Sequence, residues 1–143
     1  MKTILYATDY SENSVSALQL AITFAQKFDA NLIVMHVFDI PISLASTVSV
    51  SYMKKEKRLF VEHRTKLKEF LIQHLGAAKA MDMDINYVVN EDGSVSDGIL
   101  DTALNFHADL ICVGSKGASA AKEFLLGSTA KALLKKAPCP LFV

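Results

Sequence analysis

The chain has 143 residues, 51% of them hydrophobic, with only 3 Pro and 6 Gly; that length suits one domain spanning residues 1–143, able to bury roughly 68–70% of its unfolded surface, and the composition excludes a disordered or fibrous class. Its 15 Lys and Arg balance 15 Asp and Glu, and no basic cluster is interleaved with aromatics, so the footprint of a nucleic-acid binder is missing. No apolar run approaches the roughly 18 residues that cross a bilayer and no export signal precedes the first strand; the 2 cysteines, Cys112 and Cys139, read as reduced core thiols, and the expected setting is cytoplasmic.

A β-branched apolar run at residues 3–7 predicts the first strand. Val15, Leu18, Ala21, Ile22, Ala25 and Phe28 then recur at helical spacing behind an N-cap at Ser11 or Asn13. A second strand is expected at 32–37. Residues 39–52 are small and polar and read as a loop, either a flap over a ligand or partner or a variable connection. Leu59, Phe60, His63, Leu67, Phe70, Leu71 and Leu75 predict a charged second helix from about Met53 to Leu75, stopped by Gly76. A strand at 85–89 follows. Ile99, Leu100, Ala103 and Phe106 mark a third helix capped near Ser94 or Ser96, and residues 110–114 form a fourth strand. Ala130, Leu133 and Leu134 mark a fourth helix starting near Gly127 or Ser128, before a last strand at 140–143. Strands that are apolar throughout are covered on both faces. The order βαβαβαβαβ therefore implies a three-layer α/β sandwich with a five-stranded parallel sheet.

The richest stretch for chemistry follows the fourth strand. Gly114 ends the strand and Gly117 permits a sharp turn, so successive N–H groups can converge on an anion. Gly127 opens the way to the first turn of the last helix, whose unpaired N–H groups and positive dipole end favour phosphate, with hydroxyls from Ser128 and Thr129. The plainer alternative is an ordinary turn and helix start, but three glycines and a hydroxyl residue in one crossover favour a phosphate cradle. The second element is Thr8-Asp9-Tyr10-Ser11 after the first strand. In a doubly wound sheet a ligand lies beyond the carboxyl ends of the strands, where the strand order reverses. Asp9 there suits ribose hydroxyls, or a hydrated Mg²⁺ carried with the nucleotide; alternatively Asp9 or Ser11 caps the first helix.

Gly114, Gly117, Gly127 and Ser128, the opening from Ile4 to Glu12, His36-Val37 at the end of the second strand and the closing residues Ala137 to Val143 together resemble the universal stress protein family over essentially the whole chain. The resemblance implies an adenine nucleotide alpha hydrolase-like fold with strand order 3-2-1-4-5. It implies an ATP-binding regulatory or stress-response protein in which Asp9 contacts ribose or phosphate-bound metal and the backbone of Val37 bonds adenine. Gly114, Gly117, Gly127 and Ser128 would hold the phosphates. Ala7 and Thr8 would form the adenine and ribose wall, with Ser115, Lys116 and Thr129 as further contacts. Lys116 stands where many relatives carry His or Arg, which preserves positive charge. The chain stops at Val143, where relatives often continue and some carry two such domains, so it is either half of a longer protein or a protein without a tail.

Little in the sequence points to an enzyme. The nearest approach to a P-loop, Gly93 to Gly98, continues with Ile99 in place of lysine, and turnover is expected to be slow ATP hydrolysis at most. The 4 histidines, His36, His63, His74 and His107, lack paired metal-ligand spacing. In the leading reading nucleotide occupancy orders residues 39–52 or 114–127 for an unknown protein partner. Two other readings stand beside it. One is an interaction module without nucleotide, homodimeric through the edge strand at 140–143. The other is a flavodoxin-like FMN electron carrier in which Thr8, Ser11 and Ser14 hold the phosphate. A response-regulator receiver is set aside, because Thr8-Asp9 supplies one acidic residue where two are wanted.

Overall fold

The computed structural model describes residues 1–40, 50–116 and 126–143. Five parallel strands, β1 (Thr3–Ala7), β2 (Asn31–Phe38), β3 (Ile85–Glu91), β4 (Leu110–Val113) and β5 (Leu141–Phe142), form one sheet in the order β3-β2-β1-β4-β5. The strand order is the one the family resemblance implies. Helices α1 (Glu12–Phe28), α2 (Val50–Leu75), α3 (Ala77–Asp82), α4 (Val95–Asn105) and α5 (Ser128–Lys136) connect them.

Alternation along the strands divides the core in two. Ile4, Tyr6, Leu32, Val34, Leu110 and Cys112 pack with Leu18, Ala21 and Ile22 of α1 and Leu67, Phe70 and Leu71 of α2. Leu5, Ala7, Ile33, Met35, Val37, Ile111 and Val113 pack with Ile99, Leu100 and Ala103 of α4 and Leu133 of α5. Both strand faces are covered, which is why these segments read as continuous apolar runs. Each fully buried aliphatic side chain, such as Leu18 or Leu67, contributes about 1.5–3 kcal/mol.

Several boundaries differ from the sequence expectation. β2 begins at Asn31 and ends at Phe38, β3 runs on to Glu91, β4 stops at Val113 and β5 covers only Leu141–Phe142. α2 begins at Val50, so the loop expected over 39–52 ends earlier; residues 41–49 of it lie outside the described residues. Helix α3 was not expected at all. It buries no side chain, so it leaves no apolar periodicity to read. Gly76 separates it from α2 at φ 87, a left-handed conformation that glycine adopts without penalty. Ser11 and Ser94 are the N-caps, rather than Asn13 and Ser96. Phe28, Phe106 and Leu134, assigned to buried helix faces, are 45%, 40% and 56% exposed.

The amino end of the sheet is clasped by Asp109. Its carboxylate accepts the N–H groups of Lys2 (2.6 Å) and Thr3 (3.0 Å), and its own N–H donates to Thr3 O (2.8 Å). Those backbone donors hold its carboxyl below the usual carboxylate range. This sets the β1–β4 register and leaves the carboxyl ends of the two strands side by side.

Candidate functional site

Beyond those carboxyl ends lies a cleft of about 520 Å³, lined by residues of β1, β2, β4, α1, α4 and α5 and their connections. It sits between β1 and β4, where the strand order reverses, the position at which open α/β sheets take ligands. Its aliphatic wall is made by Ala7, Val37, Val95, Ile99 and Val113.

The backbone at one edge of this wall follows from ladder arithmetic. On β2, Leu32 N–H takes Asp84 O and Phe38 O takes Asp92 N–H, so even-numbered residues face β3. Met35 O takes Thr8 N–H at 3.0 Å, so odd-numbered residues face β1. The β1 ladder ends at that rung, which leaves the Val37 N–H and C=O directed past the end of β1 toward the cleft. Gly98 stays close behind Val37: a Cβ there would come within 3.0 Å and 3.1 Å of the two Val37 methyl groups.

The floor is set by a ladder of hydroxyls that the sequence did not announce. Ser14 Oγ donates to Ser11 O (2.7 Å), so its remaining bond, to Thr8 Oγ1 at 2.9 Å, must be accepted, and Thr8 is the donor. Thr8 Oγ1 in turn accepts Tyr10 N–H (2.9 Å). Tyr6 Oη donates to Ser14 O (2.8 Å), and burial pushes its phenol up to about 12. Ser11 Oγ donates to Asp9 Oδ1, which also accepts Ser11 N–H at 3.0 Å. The hydroxyl protons of Thr8, Ser11 and Ser14 are thus all directed within the protein. They do not form the phosphate cup that the FMN alternative needs, and Thr8 borders the cleft as a wall residue only. Asp9 steadies the turn before α1 through Ser11, while Ser11 occupies the N-cap position without a side-chain bond to the helix; Asp9 lines the cleft as expected.

On the phosphate side, Gly114, Lys116, Gly127, Ser128 and Thr129 all line the cleft. Gly114 carries a packing constraint as well: a Cβ there would lie 3.0 Å from the backbone of Asn13 and Ser14. Its missing side chain brings the first turn of α1 against the end of β4. The Gly127 N–H donates to Ser115 O at 2.9 Å, so this amide ties the two ends of the connection together and does not converge on an anion. At φ −61 the Gly127 backbone suits any residue; what its small size leaves open is the approach to α5. The N–H groups of Ser128, Thr129 and Ala130 precede any intrahelical acceptor. Ser115 acts through its carbonyl and is not among the lining residues, and Gly117 lies outside the described residues.

The sequence expectation therefore brings Ala7, Thr8, Asp9, Val37, Gly114, Lys116, Gly127, Ser128 and Thr129 to one cleft. The nucleotide expectation did not include Ser14, His36, Val95, Ile99, Val113 and Ala130, which also line it. Ile99, Val113 and Ala130 carry only a core signal in the sequence, and Ser14 enters only the FMN alternative. Among the described residues no group of three or more His, Cys, Asp or Glu gathers as a metal site, and no helix is long and apolar enough to cross a membrane.

A sequence model of the Universal stress protein family matches residues 1–143. The chain is 29% identical over 148 residues to a universal stress protein of Thermus aquaticus, covering 99% of this chain and 97% of that one. A solved structure described as hypothetical protein MJ0577 is similar at 27% identity and a TM-score of 0.77, with 99% of this chain and 94% of that chain covered. A universal stress protein solved in complex with cAMP is similar in fold at 22% identity and a TM-score of 0.66, with 99% and 93% covered.

Proposed function

The chain belongs to the universal stress protein family, and we propose from that premise that its cleft binds an adenine nucleotide, ATP in the first instance, as a regulatory rather than a metabolic act. One observation carries the reading: a single cleft joins a flat aliphatic slot, edged by the Val37 N–H and C=O, to the amino terminus of α5. The slot takes the base by burial, and a backbone donor and acceptor side by side match the N1 and N6 edge of adenine. The α5 terminus takes phosphate through N–H groups that have no intrahelical acceptor and through its dipole, and Lys116 adds positive charge along the same wall. The volume is within the usual range for small-molecule sites. Binding of cAMP by a protein of the same fold supports the reading.

Asp9 is the carboxylate among the described lining residues. One carboxylate beside a polyphosphate suits Mg²⁺ held largely by phosphate and water, so Asp9 would meet the ion through water and the ion would offset phosphate charge. Slow hydrolysis at most is expected to accompany binding.

The test is a thermal-shift series with ATP, GTP, AMP and FMN, with and without Mg²⁺. ATP at a hundred times its dissociation constant is expected to stabilise by about 2.7 kcal/mol, about 5–10 °C for a domain of this size. Gly127→Glu is expected to keep the fold, since its backbone suits any residue, and to abolish the shift by placing bulk and negative charge over the α5 terminus. A wild-type protein that responds to none of the four overturns the reading.

A second reading concerns the other edge of the sheet. β5 is an edge strand and carries Phe142, 45% exposed, beside Phe24 at 6.3 Å and the 45%-exposed Phe28. An apolar edge of this kind favours pairing with a second copy across a two-fold axis. Phe142→Lys is expected to make the protein monomeric in sedimentation velocity while leaving the ATP shift intact.

A further inference from the structure

Thr8 joins the cleft to an arrangement on the opposite, α2-covered face of the sheet. Its carbonyl accepts a bond from His36 Nδ1 at 2.8 Å, and since a carbonyl only accepts, that nitrogen carries the proton. The His36 ring lies 4.6 Å from the Tyr10 ring and 5.7 Å from His63, and His63 stacks on Phe38 at 4.1 Å. Phe70 closes one end against Tyr10 at 5.2 Å and Phe60 the other against Phe38 at 5.0 Å. Six rings thus form a column along α2, at the level of the residues that line the cleft.

Two features make the column conditional. Tyr10 adopts φ 65, a left-handed conformation that a bulky residue keeps only when its surroundings impose it. Tyr10 Oη and His63 Nδ1 are buried with no hydrogen-bond partner among the described residues, so ring packing holds both side chains there. In the charged form the proton on His63 Nδ1 would be buried without an acceptor among the described residues, and a charged His36 beside a charged His63 would repel it.

We propose that this column is a proton-sensitive clamp on the nucleotide cleft: with both imidazoles neutral it holds Tyr10 in place, and with it Thr8 and Asp9, and proton uptake releases them and weakens nucleotide binding. The inference rests on the nucleotide reading above and adds a signal to it. The surrounding charges favour the neutral state. Burial first, then His63 and Lys66, lower the affinity of His36 for a proton, against the Thr8 carbonyl and Asp9, which raise it. Burial and Lys66 lower that of His63, against Glu62. Lys66 Nζ sits 4.2 Å over the Tyr10 ring, and His74 lies against Phe70 at the outer end. Burial pushes the Tyr10 phenol up to about 12, so it stays neutral throughout. Because both histidines are lowered from 6.5, the fold favours their neutral forms. The stabilisation is complete above that value and is lost as pH falls through it toward the lowered values.

The experiment measures Mg-ATP affinity by calorimetry between about pH 7.5 and about pH 5.5, across the ordinary histidine range, for wild type, His63→Phe and Lys66→Gln. Wild type is expected to lose about tenfold in affinity over that range, the effect of about one unit of proton linkage. His63→Phe keeps a ring in the column without a titrating group, and its loss is expected to shrink to what ATP's own protonation causes. Lys66→Gln, at an exposed position, removes charge that opposes protonation and is expected to move the midpoint to higher pH; it keeps the test decisive should His63→Phe fail to fold. Hydrogen exchange of the ligand-free protein is expected to show residues 8–11 and α2 losing protection over the same range. A loss of ATP affinity equal in all three proteins, or no change in exchange, overturns the clamp alone. Absence of ATP binding at the upper pH overturns the nucleotide reading, and the coupling with it.

Discussion

At the carboxyl end of the sheet the two faces of β1 and β2 use their polar groups in opposite ways. On the α4 and α5 face, the backbone of Val37 and the amino terminus of α5 point outward from an aliphatic wall. On the α1 and α2 face, Tyr6, Thr8, Ser11 and Ser14 satisfy one another, and His36, Tyr10 and His63 are packed among rings. The difference teaches that an accessible polar group makes a site only where the fold has not already supplied its partner. Thr8, Ser14 and His36 also line the cleft, so they belong to both faces, which is why the two can be coupled.

The largest effect expected on this contrast comes from the aliphatic wall. Ile99 is 2% exposed and is both core and cleft lining, so Ile99→Ala should cost about 2–5 kcal/mol, read as a lower denaturation midpoint, and should weaken ATP by removing one side of the base slot. Gly114→Ala comes next. The new methyl would meet backbone of Asn13 and Ser14 at 3.0 Å, and backbone cannot swing aside as a side chain can, so a loss of about 1–3 kcal/mol is expected in chemical denaturation. Thr8→Val sharpens the account of the hydroxyl ladder. It strands the Tyr10 N–H and should cost about 1–2 kcal/mol; because the Thr8 hydroxyl proton already belongs to Ser14, any loss of ATP affinity should track that destabilisation, and a large loss in a fully stable protein would contradict the assignment.

The smallest effect belongs to the opposite end of the sheet. Asp109 is held below the usual carboxylate range by the Lys2 and Thr3 N–H groups, so its contribution is present above the ordinary value of 3.8 and lost as pH falls through the lowered one. Asp109→Asn should therefore flatten the acid limb of stability slightly and leave ATP binding untouched, which a thermal-melt series from neutral to acid pH would register.

Much of this was legible in the residue order. Continuous β-branched runs alternating with helical periodicity already required a parallel sheet covered on both faces, because an apolar strand cannot leave either face in water. Gly114, Gly127-Ser128 and Asp9 stood out through residue type and position, and the family pattern carried Val37 with them. What stayed hidden has a common cause. Val95 looks unremarkable in sequence, Ser14 enters only as an FMN contact and His36 only as part of the family pattern, and all three reach the cleft only because the crossovers bring α1, β2 and α4 to the same end of the sheet. The amide of Gly127 was expected to face an anion and instead holds Ser115, a pairing between positions far apart in the local chain.

Residue types and their periodicity, which register what each segment must hide from water, determined by themselves the layers, the parallel sheet and the end at which a ligand belongs. Tertiary structure alone decided which polar groups face the cleft, the direction of the Thr8 hydroxyl and the ring column behind it. The reason is physical: burial preference is a property of each residue, whereas a hydrogen bond or a stacked pair is a property of two groups, and their meeting depends on how the chain crosses over.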